Sequence, residues 1–239
     1  MKRLLIRPGA IGDFLVSLPA LEHLRCGYTE VWTTEANAPL VRFADRVDTI
    51  IRSGLDSLTL PAATLHYLTK FDTIYSWYGA NRPDFREAFK HLPFQFFTAL
   101  PPGPGTHATD YYLAQAGGSC KTNPKLPLDW RNEGYAVIHP FSGGRAKNWP
   151  LDNYRELASR LDLPVRWTAG PEEPLDEATR FDSLWDLAGW LAGASLYIGN
   201  DSGITHLAAA CGVPVVAIFQ ASDPAVWAPR GPHVIVVDR

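Results

Sequence analysis

The stretch that decides the fold is GNDSGITHLAAACGVPVVAIF, residues 199–219. It follows an apolar run at 195–199 and contains a helix of small residues at 204–211 and a β-branched run at 215–219. Gly212 and Pro214 stand between helix and second strand, where helix-ending residues are expected. A helix between two strands, in place of a tight hairpin, is typical of a parallel crossover. The stretch therefore predicts one βαβ unit of a parallel α/β sheet.

The same alternation extends over the rest of the chain. In the first half we expect strands at 3–7, 30–33, 49–51, 73–78 and 94–99, and helices at 13–25, 38–44, 82–91 and 107–117. Residues 117–133 are rich in Gly, Pro and charge, which is typical of a linker. The alternation then restarts, with strands at 135–139, 165–169, 195–199, 215–219 and 233–237 and helices at 151–161, 183–194 and 204–211. This pattern predicts an α/β fold of two Rossmann-like domains, residues 1–125 and 134–239, which face each other across a cleft.

Composition and charge narrow the classes of protein. The net charge of −3 does not suggest a nucleic-acid binder, so no nucleic-acid partner is expected. The cysteines at 26, 120 and 211 lack the spacing of a disulfide framework or a zinc site, which favours a reducing compartment. No signal-peptide core is recognised, nor an apolar run of about 20 residues that could cross a bilayer. We expect a cytoplasmic protein, and contact with the inner face of a membrane stays open.

The loop that opens the 204–211 helix carries Asp201, Ser202 and Gly203. Free backbone N–H groups at a helix start bind anions, and glycine permits close approach. We therefore expect these residues, with His206 on the first turn, to face a phosphate or a sugar. Two alternatives stay open: Asp201 or Ser202 only caps the helix, at about 1 kcal/mol, and His206 is a buried structural histidine.

A second loop, HPFSGGRAKNWP at residues 139–150, also follows a predicted strand. Gly143 and Gly144 leave it free to approach a ligand, and Lys147 supplies a charge suited to a diphosphate leaving group. The pattern GxxxxGK[ST] cannot be aligned here, which disfavours a P-loop NTPase. A solvated loop lysine is an equally good interpretation of Lys147 alone.

A third loop, TAGPEEP at residues 168–174, places Glu172 and Glu173 at the edge of the expected cleft. An acidic residue at such a position often accepts hydrogen bonds from ribose or sugar hydroxyls. The alternative is a solvated acidic turn, which we slightly favour for Glu173.

The N-terminal loop reads RPGAIGD, residues 7–13. Gly9 and Gly12 have GxxG spacing, and the incomplete G-x-G-x-x-G fingerprint weakens a nicotinamide or flavin interpretation. Asp13 at the helix start would repel a phosphate, but the helix dipole keeps its carboxylate ionised and able to accept a proton from a hydroxyl. From this stretch alone, a helix cap is the commoner role for Asp13.

Taken in order, four stretches resemble glycosyltransferase family 9, the heptosyltransferases of lipopolysaccharide core assembly. They are PGAIGDFLVSLPALEHLR at 8–25, HPFSGGRAKNWPLDNYRELA at 139–158, AGPEE at 169–173, and LAGASLYIGNDSGITHLAAACGVPVVAIFQASDPAVWAP at 191–229. The resemblance implies a GT-B fold and an inverting, metal-independent transfer of a heptose-like sugar. The implied donor is a nucleotide-diphosphate sugar, with ADP-heptose the best known, and the implied acceptor is a lipopolysaccharide-core or related glycan.

The resemblance also implies roles for individual residues. Asp13 matches the family's general base, and Lys147 matches the lysine at the donor diphosphate. The other residues matching the donor site are Ser142, Gly143, Gly144, Glu172, Asp201, Ser202, Gly203 and His206. The acceptor side would include Arg7, Gly9 and Gly12. No metal or separate cofactor is implied, since the nucleotide sugar is a co-substrate, and a glycolipid acceptor would bring the protein to the inner membrane.

Two alternatives to a glycosyltransferase remain. One is a degenerate homologue that binds a nucleotide sugar without catalysis, although Asp13, Lys147 and His206 together argue against it because a binding protein needs no base. The other is a nucleotide-sugar epimerase of the same architecture.

Overall fold

Two five-stranded parallel sheets carry the chain in the computed structural model, which describes residues 1–55 and 60–238. The first sheet has the order β3-β2-β1-β4-β5, and its strands are β1 Lys2–Ile6, β2 Tyr28–Thr33, β3 Arg46–Thr49, β4 Thr73–Ser76 and β5 Phe94–Phe96. The second has the order β10-β9-β8-β6-β7, with β6 Ala136–His139, β7 Val165–Trp167, β8 Leu196–Asn200, β9 Val215–Phe219 and β10 Val234–Asp238. In both sheets the order reverses beside the first strand, which is where such folds bind ligands.

Helices connect the strands, as the alternating pattern predicts. They are α1 Ile11–His23, α2 Ile50–Ser53, α3 Ala62–Leu68, α4 Pro83–Ala88, α5 Ala108–Gln115, α6 Leu151–Ser159, α7 Leu184–Leu191, α8 Gly203–Ala210 and α9 Pro224–Trp227. Among the described residues no helix combines the length and the apolar character that a membrane span requires.

The 199–219 unit forms as the sequence predicts. Strands β8 and β9 pair in parallel, with Ile198 opposite Val216, and α8 crosses between them. Ser202 caps α8 by accepting a hydrogen bond from the Thr205 amide at 3.4 Å. The buried alanines of α8 let it lie close against its neighbours, including α1 of the first half.

One apolar core joins the two halves of the molecule. It contains Phe14 and Leu15 of α1 as well as Leu207 and Ala208 of α8, all completely buried. Separate clusters cover the outer face of each sheet, around Ile74 in the first and around Ile198, Ile218 and Tyr154 in the second. Helices α1 and α8 therefore lie between the sheets, and their first turns are fixed by core packing.

Some predicted elements differ from the structure. Strand β3 ends at Thr49, whose hydroxyl caps the short helix α2, so the strand predicted at 49–51 was misplaced. The helix predicted at 38–44 is only a 3-10 turn, Ala38–Leu40, because the backbone becomes extended at Val41. Helices α3 and α9 were not predicted.

The segment predicted as a linker, 117–133, is hydrogen-bonded to the second half over its later part. The Leu126 amide donates to the Ala210 carbonyl at 2.9 Å, and the Arg131 amide donates to the Ala192 carbonyl at 2.8 Å. Leu126 is also buried in the shared core. The domain limits at 125 and 134 stay a prediction, and the chain from Leu126 onward packs with the second sheet.

Candidate active site between the two sheets

The first turns of α1 and α8 meet between the sheets, at Gly12 and Gly203. A Cβ atom at Gly203 would stand 2.7 Å from Ile11 Cβ and 3.0 Å from the Gly12 nitrogen. A Cβ atom at Gly12 would stand 3.4 Å from His206 Cδ2. Glycine is therefore required at 203 for this close approach, and the two helix N-termini, each with free N–H groups and positive partial charge, border the same space.

Two adjoining cavities of about 340 Å³ each open at this junction. We call them the polar cavity and the apolar cavity. The polar cavity is lined by Asp13, Lys147, Asp201, His206, Ser222 and Trp227, among others. The apolar cavity is lined by His139, Glu173, Phe181, Leu184, Leu187 and Ile204, among others. Both are bordered by Ala10, Gly12, Ser142, Gly143, Ser202 and Gly203. Their sizes are those of small-molecule sites.

Asp13 does not cap its helix. The cap position of α1 is Ala10, which has no side-chain capping bond, and Asp13 lies in the first turn, half-buried, on the wall of the polar cavity. Within residues 1–55 and 60–238 its carboxylate makes no hydrogen bond and no ion pair. The carboxylate is therefore available to a ligand, close to the positive end of α1.

Arg7 lies beneath this turn, and its place on the acceptor side stays a prediction. Arg7 is only 3% exposed, and its guanidinium donates to the Asp13 carbonyl at 3.0 Å and to Ser17 Oγ at 3.2 Å. The guanidinium carbon also lies 4.7 Å from the ring centre of Tyr112. Burial lowers the pKa of Arg7, opposed by Tyr112 and the Asp13 charge. Arg7 therefore fixes the turn that carries Asp13.

Asp201 holds Lys147 at the polar cavity. Its Oδ2 atom accepts from Lys147 Nζ at 2.6 Å and from the hydroxyl of Ser222, and its carbonyl accepts from Ser142 Oγ at 2.9 Å. The Asp201 side chain is 6% exposed, whereas that of Lys147 is 37% exposed. An ammonium group has three N–H donors, so Lys147 keeps donors for an anion. The Asp201 carboxylate therefore orients the Lys147 ammonium, and the Asp201 carbonyl orients Ser142. Its side chain is buried and is not exposed to a bound phosphate.

Asn200 fixes the 139–150 loop and was not predicted. Its Oδ1 accepts from the Trp149 amide and the Tyr154 hydroxyl, both at 2.9 Å, and its Nδ2 donates to the Pro140 carbonyl at 2.8 Å. The residue is completely buried. The sequence signal was its position directly before Asp201, at the carboxyl end of a buried strand.

His206 is a buried wall residue of the polar cavity, 4.0 Å from Asp201 Oδ1 through its Nε2 atom. Burial lowers the pKa of His206 from its ordinary 6.5, and the Asp201 charge opposes this shift. The imidazole is therefore neutral at pH 7, so it offers one donor and one acceptor.

Glu173, not Glu172, borders the apolar cavity, which reverses the preference drawn from the sequence. Glu172 is exposed and absent from the cavity wall. Glu173 Oε2 accepts from the Gly170 amide at 2.6 Å and lies 3.0 Å from Nε2 of the buried His139. Burial would raise the pKa of Glu173, but His139 and the Gly170 amide lower it overall. The turn at 170–173 points the second of the two acids inward.

The other predicted positions lie on or beside the polar cavity: Gly143 and Gly144 line it, whereas Gly9 lies next to Asp13 and outside the lining of both cavities. Gly143 and Gly144 lie on the loop that carries Lys147, and Gly9 adopts a φ of 141° beside Asp13. A Cβ atom at Gly9 would stand 3.8 Å from Asp13 Oδ2. Ser222 and the apolar wall residues Phe181, Leu184 and Leu187 were not predicted. Ser222 lies within the 191–229 stretch that resembles the family, whereas nothing in the sequence links the segment of the three apolar residues to the cleft. In the described part of the chain, no group of three or more His, Cys, Asp or Glu side chains is arranged to hold a metal ion.

The structure is similar over its whole length to solved two-sheet glycosyltransferases. The glycosyl transferase family 9 protein of Veillonella parvula superposes with a TM-score of 0.78 at 19% identity, over 100% of this chain and 86% of that one. E. coli ADP-heptose lps heptosyltransferase II superposes with a TM-score of 0.78 at 18% identity, over 99% of this chain and 90% of that one. These likenesses confirm the GT-B-like fold of two Rossmann-like units.

Sequence comparison then identifies the family. The pattern of glycosyltransferase family 9 (heptosyltransferase) matches residues 104–238. Lipopolysaccharide heptosyltransferase 1 of Salmonella typhimurium is 30% identical over 194 residues, which are 73% of this chain and 55% of the relative. The same protein of E. coli K12 is 29% identical over 206 residues, which are 78% of this chain and 59% of the relative. The chain belongs to glycosyltransferase family 9, and it spans about half the length of the curated relatives it matches.

Proposed function

We propose that the protein transfers a heptose-like sugar from a nucleoside diphosphate donor to a hydroxyl of a lipopolysaccharide-core or related glycan. One observation carries the proposal: the Asp13 carboxylate, which has no hydrogen bond and no ion pair within the described part of the chain, shares the polar cavity with the tethered cation of Lys147 and with two helix N-termini. A base beside an anion-binding wall is what glycosyl transfer from a diphosphate requires.

The donor would occupy both cavities. Its nucleoside fits the apolar cavity, where Phe181 and Leu187 offer apolar surface and Glu173 offers carboxylate oxygen to ribose hydroxyls. Its diphosphate then lies at the junction, against the N–H groups at the start of α8 and the Lys147 ammonium. Two solved E. coli heptosyltransferase structures are described as holding ADP and ADP-2-deoxy-2-fluoro heptose. We propose ADP-heptose as the donor on that basis.

The reaction would be a single displacement with inversion. Asp13 accepts the proton of the acceptor hydroxyl, whose oxygen attacks the anomeric carbon. The bond from that carbon to the diphosphate oxygen breaks, and its electron pair stays on the leaving nucleoside diphosphate. Lys147 and the helix N-termini stabilise the charge that develops there, so the proposed step needs no metal ion.

The acceptor would approach from the side of Gly9 and Gly12. The absence of a side chain at Gly9 leaves space within 3.8 Å of Asp13 Oδ2, where a hydroxyl can approach the carboxylate. A glycolipid acceptor would place the reaction at the cytoplasmic face of the inner membrane, which is part of the proposal.

Parallel thermal unfolding with ADP, GDP and UDP tests the donor, and incubation of ADP-heptose with deacylated lipopolysaccharide core tests transfer. ADP at 100 times its dissociation constant should add about 2.7 kcal/mol of stability, which raises Tm by roughly 5–10 °C for a chain of this size. The core glycan should gain one heptose as ADP is released. Stabilisation by ADP without any sugar transfer would instead support the non-catalytic homologue, and no response to any nucleotide would contradict both.

A further inference from the structure

The segment between β9 and β10 borders the polar cavity, yet it is bonded to the opposite half of the molecule. Ser222 and Trp227 of this segment line the cavity. Just beyond them, Arg230 makes two hydrogen bonds to the Asp110 carboxylate of α5, at 2.6 and 2.7 Å. Helix α5 packs against α1 and belongs to the first half, so this ion pair joins the second half of the molecule to the first.

A second bond across the same junction lies one turn away. His107 Nδ1 accepts from the Thr109 amide at 3.1 Å, which leaves the proton on Nε2. That Nε2 atom donates to the Ala228 carbonyl at 2.8 Å. Burial lowers the pKa of His107 and the Arg230 charge adds to this shift. The bond to Ala228 and the Asp110 charge oppose it without cancelling it, so the ring is neutral at pH 7 and keeps both bonds.

These bonds hold the cavity segment on both sides of Trp227. Upstream, Ser222 donates to the Asp201 carboxylate within the second half. Downstream, Ala228 and Arg230 are held by α5 of the first half. Charge-assisted bidentate pairs fix geometry as well as add energy, and the side chains of this pair are only 21% and 27% exposed.

We propose that His107, Asp110 and Arg230 form a latch between the two halves, which positions Trp227 over the polar cavity and thereby sets the affinity for the sugar end of the donor. The inference rests on the proposed function for its ligand, a nucleoside diphosphate sugar. The three residues are positioning residues: they act through Trp227, whose indole supplies an apolar wall to the space beside Lys147. The bare nucleoside diphosphate, which lacks the sugar, depends less on the latch.

Hydrogen exchange of the whole chain without ligand tests the latch itself. Asp110→Asn and Arg230→Gln should speed amide exchange in residues 222–230. The matched control is Asp84→Asn, which breaks the ion pair between Asp84 of α4 and Arg82, directly before that helix in the same half and away from both cavities. The charge-swapped double variant Asp110→Arg/Arg230→Asp should slow the exchange again. Exchange unchanged in both single variants would overturn the latch.

Calorimetry with ADP-heptose and ADP tests its consequence. In Asp110→Asn the affinity for ADP-heptose should fall by about fivefold or more, as expected for coupled sites, with a smaller change for ADP. Equal losses for the two ligands, or none, would overturn the positioning of Trp227. If ADP-heptose does not bind to the wild-type protein, the proposed donor is wrong, and the exchange experiment still decides whether the latch exists.

Discussion

The contact between the first turns of α1 and α8 makes a quantitative prediction for Gly203→Ala. The added methyl carbon would stand 2.7 Å from Ile11 Cβ, about 0.7 Å closer than the 3.4 Å at which ordinary contact begins. It would also stand 3.0 Å from the Gly12 nitrogen, a backbone atom that no side-chain rotation can move. The two helix starts must therefore separate, and with them the walls of both cavities.

The expected loss has two parts. Inserting a methyl group into a packed contact costs about 1–3 kcal/mol, and each kcal/mol lowers Tm by roughly 2–4 °C for a chain of this size. A displacement near 1 Å at a catalytic constellation can cost about 100-fold in rate. We expect Gly203→Ala to melt about 2–12 °C lower than wild type, with sugar transfer from ADP-heptose reduced by up to two orders of magnitude.

Thermal unfolding and a transfer assay check this, with Gly189→Ala as the matched control. Gly189 lies inside α7 with open space around its Cβ position, so alanine there should be neutral or stabilise by about 1 kcal/mol through helix propensity. The reasoning is refuted if Gly203→Ala melts and reacts like wild type, or if Gly189→Ala loses as much as Gly203→Ala.

Three further outcomes are expected. Lys147→Ala should weaken ADP binding about 10- to 100-fold, since a hydrogen bond to a charged group contributes about 1.5–3 kcal/mol; equal affinity by calorimetry would remove Lys147 from the diphosphate site. Glu173→Gln should weaken ADP binding while Glu172→Gln leaves it unchanged, and the reverse result would show that the exposed acid is the one used. The pKa of His206 is lowered by burial below its unfolded 6.5, so its contribution to stability is complete above pH 6.5 and is lost as pH falls through the folded pKa. Between pH 7 and pH 5.5 the free energy of unfolding measured with urea should fall less for His206→Gln than for wild type. An equal fall in both proteins would contradict the predicted direction of the pH dependence.

The parallel α/β architecture could be predicted because strands and crossover helices leave a periodic signal in the sequence. The 199–219 unit shows this best, since Gly212 and Pro214 end the helix directly before β9. The misplaced strand at 49–51 shows the limit: Thr49 is both the end of β3 and the cap of α2, and propensity alone does not separate those roles.

Site residues could be predicted from the sequence where they directly follow a strand. They could not be predicted where contacts between residues distant in sequence decide which side chain reaches the cavity. Asp13 was more simply a helix cap by local sequence, but the cap position is Ala10, and the carboxylate lies on the cavity wall. Arginine is usually found at the protein surface, yet Arg7 is covered by Tyr112, which is distant in sequence. The choice between Glu172 and Glu173 depends on His139, which reaches only one of them.

The most direct test of the central claim is the rate of heptose transfer by Asp13→Asn with ADP-heptose and the core glycan. Asparagine keeps the shape of the side chain but cannot serve as a base, so transfer should fall by about 100- to 10,000-fold, the usual contribution of general-base catalysis. ADP affinity should stay close to that of wild type. Glu22→Gln, an acid-to-amide change in the last turns of the same helix, serves as the control. Transfer by Asp13→Asn at the wild-type rate would contradict the assignment of Asp13 as the base.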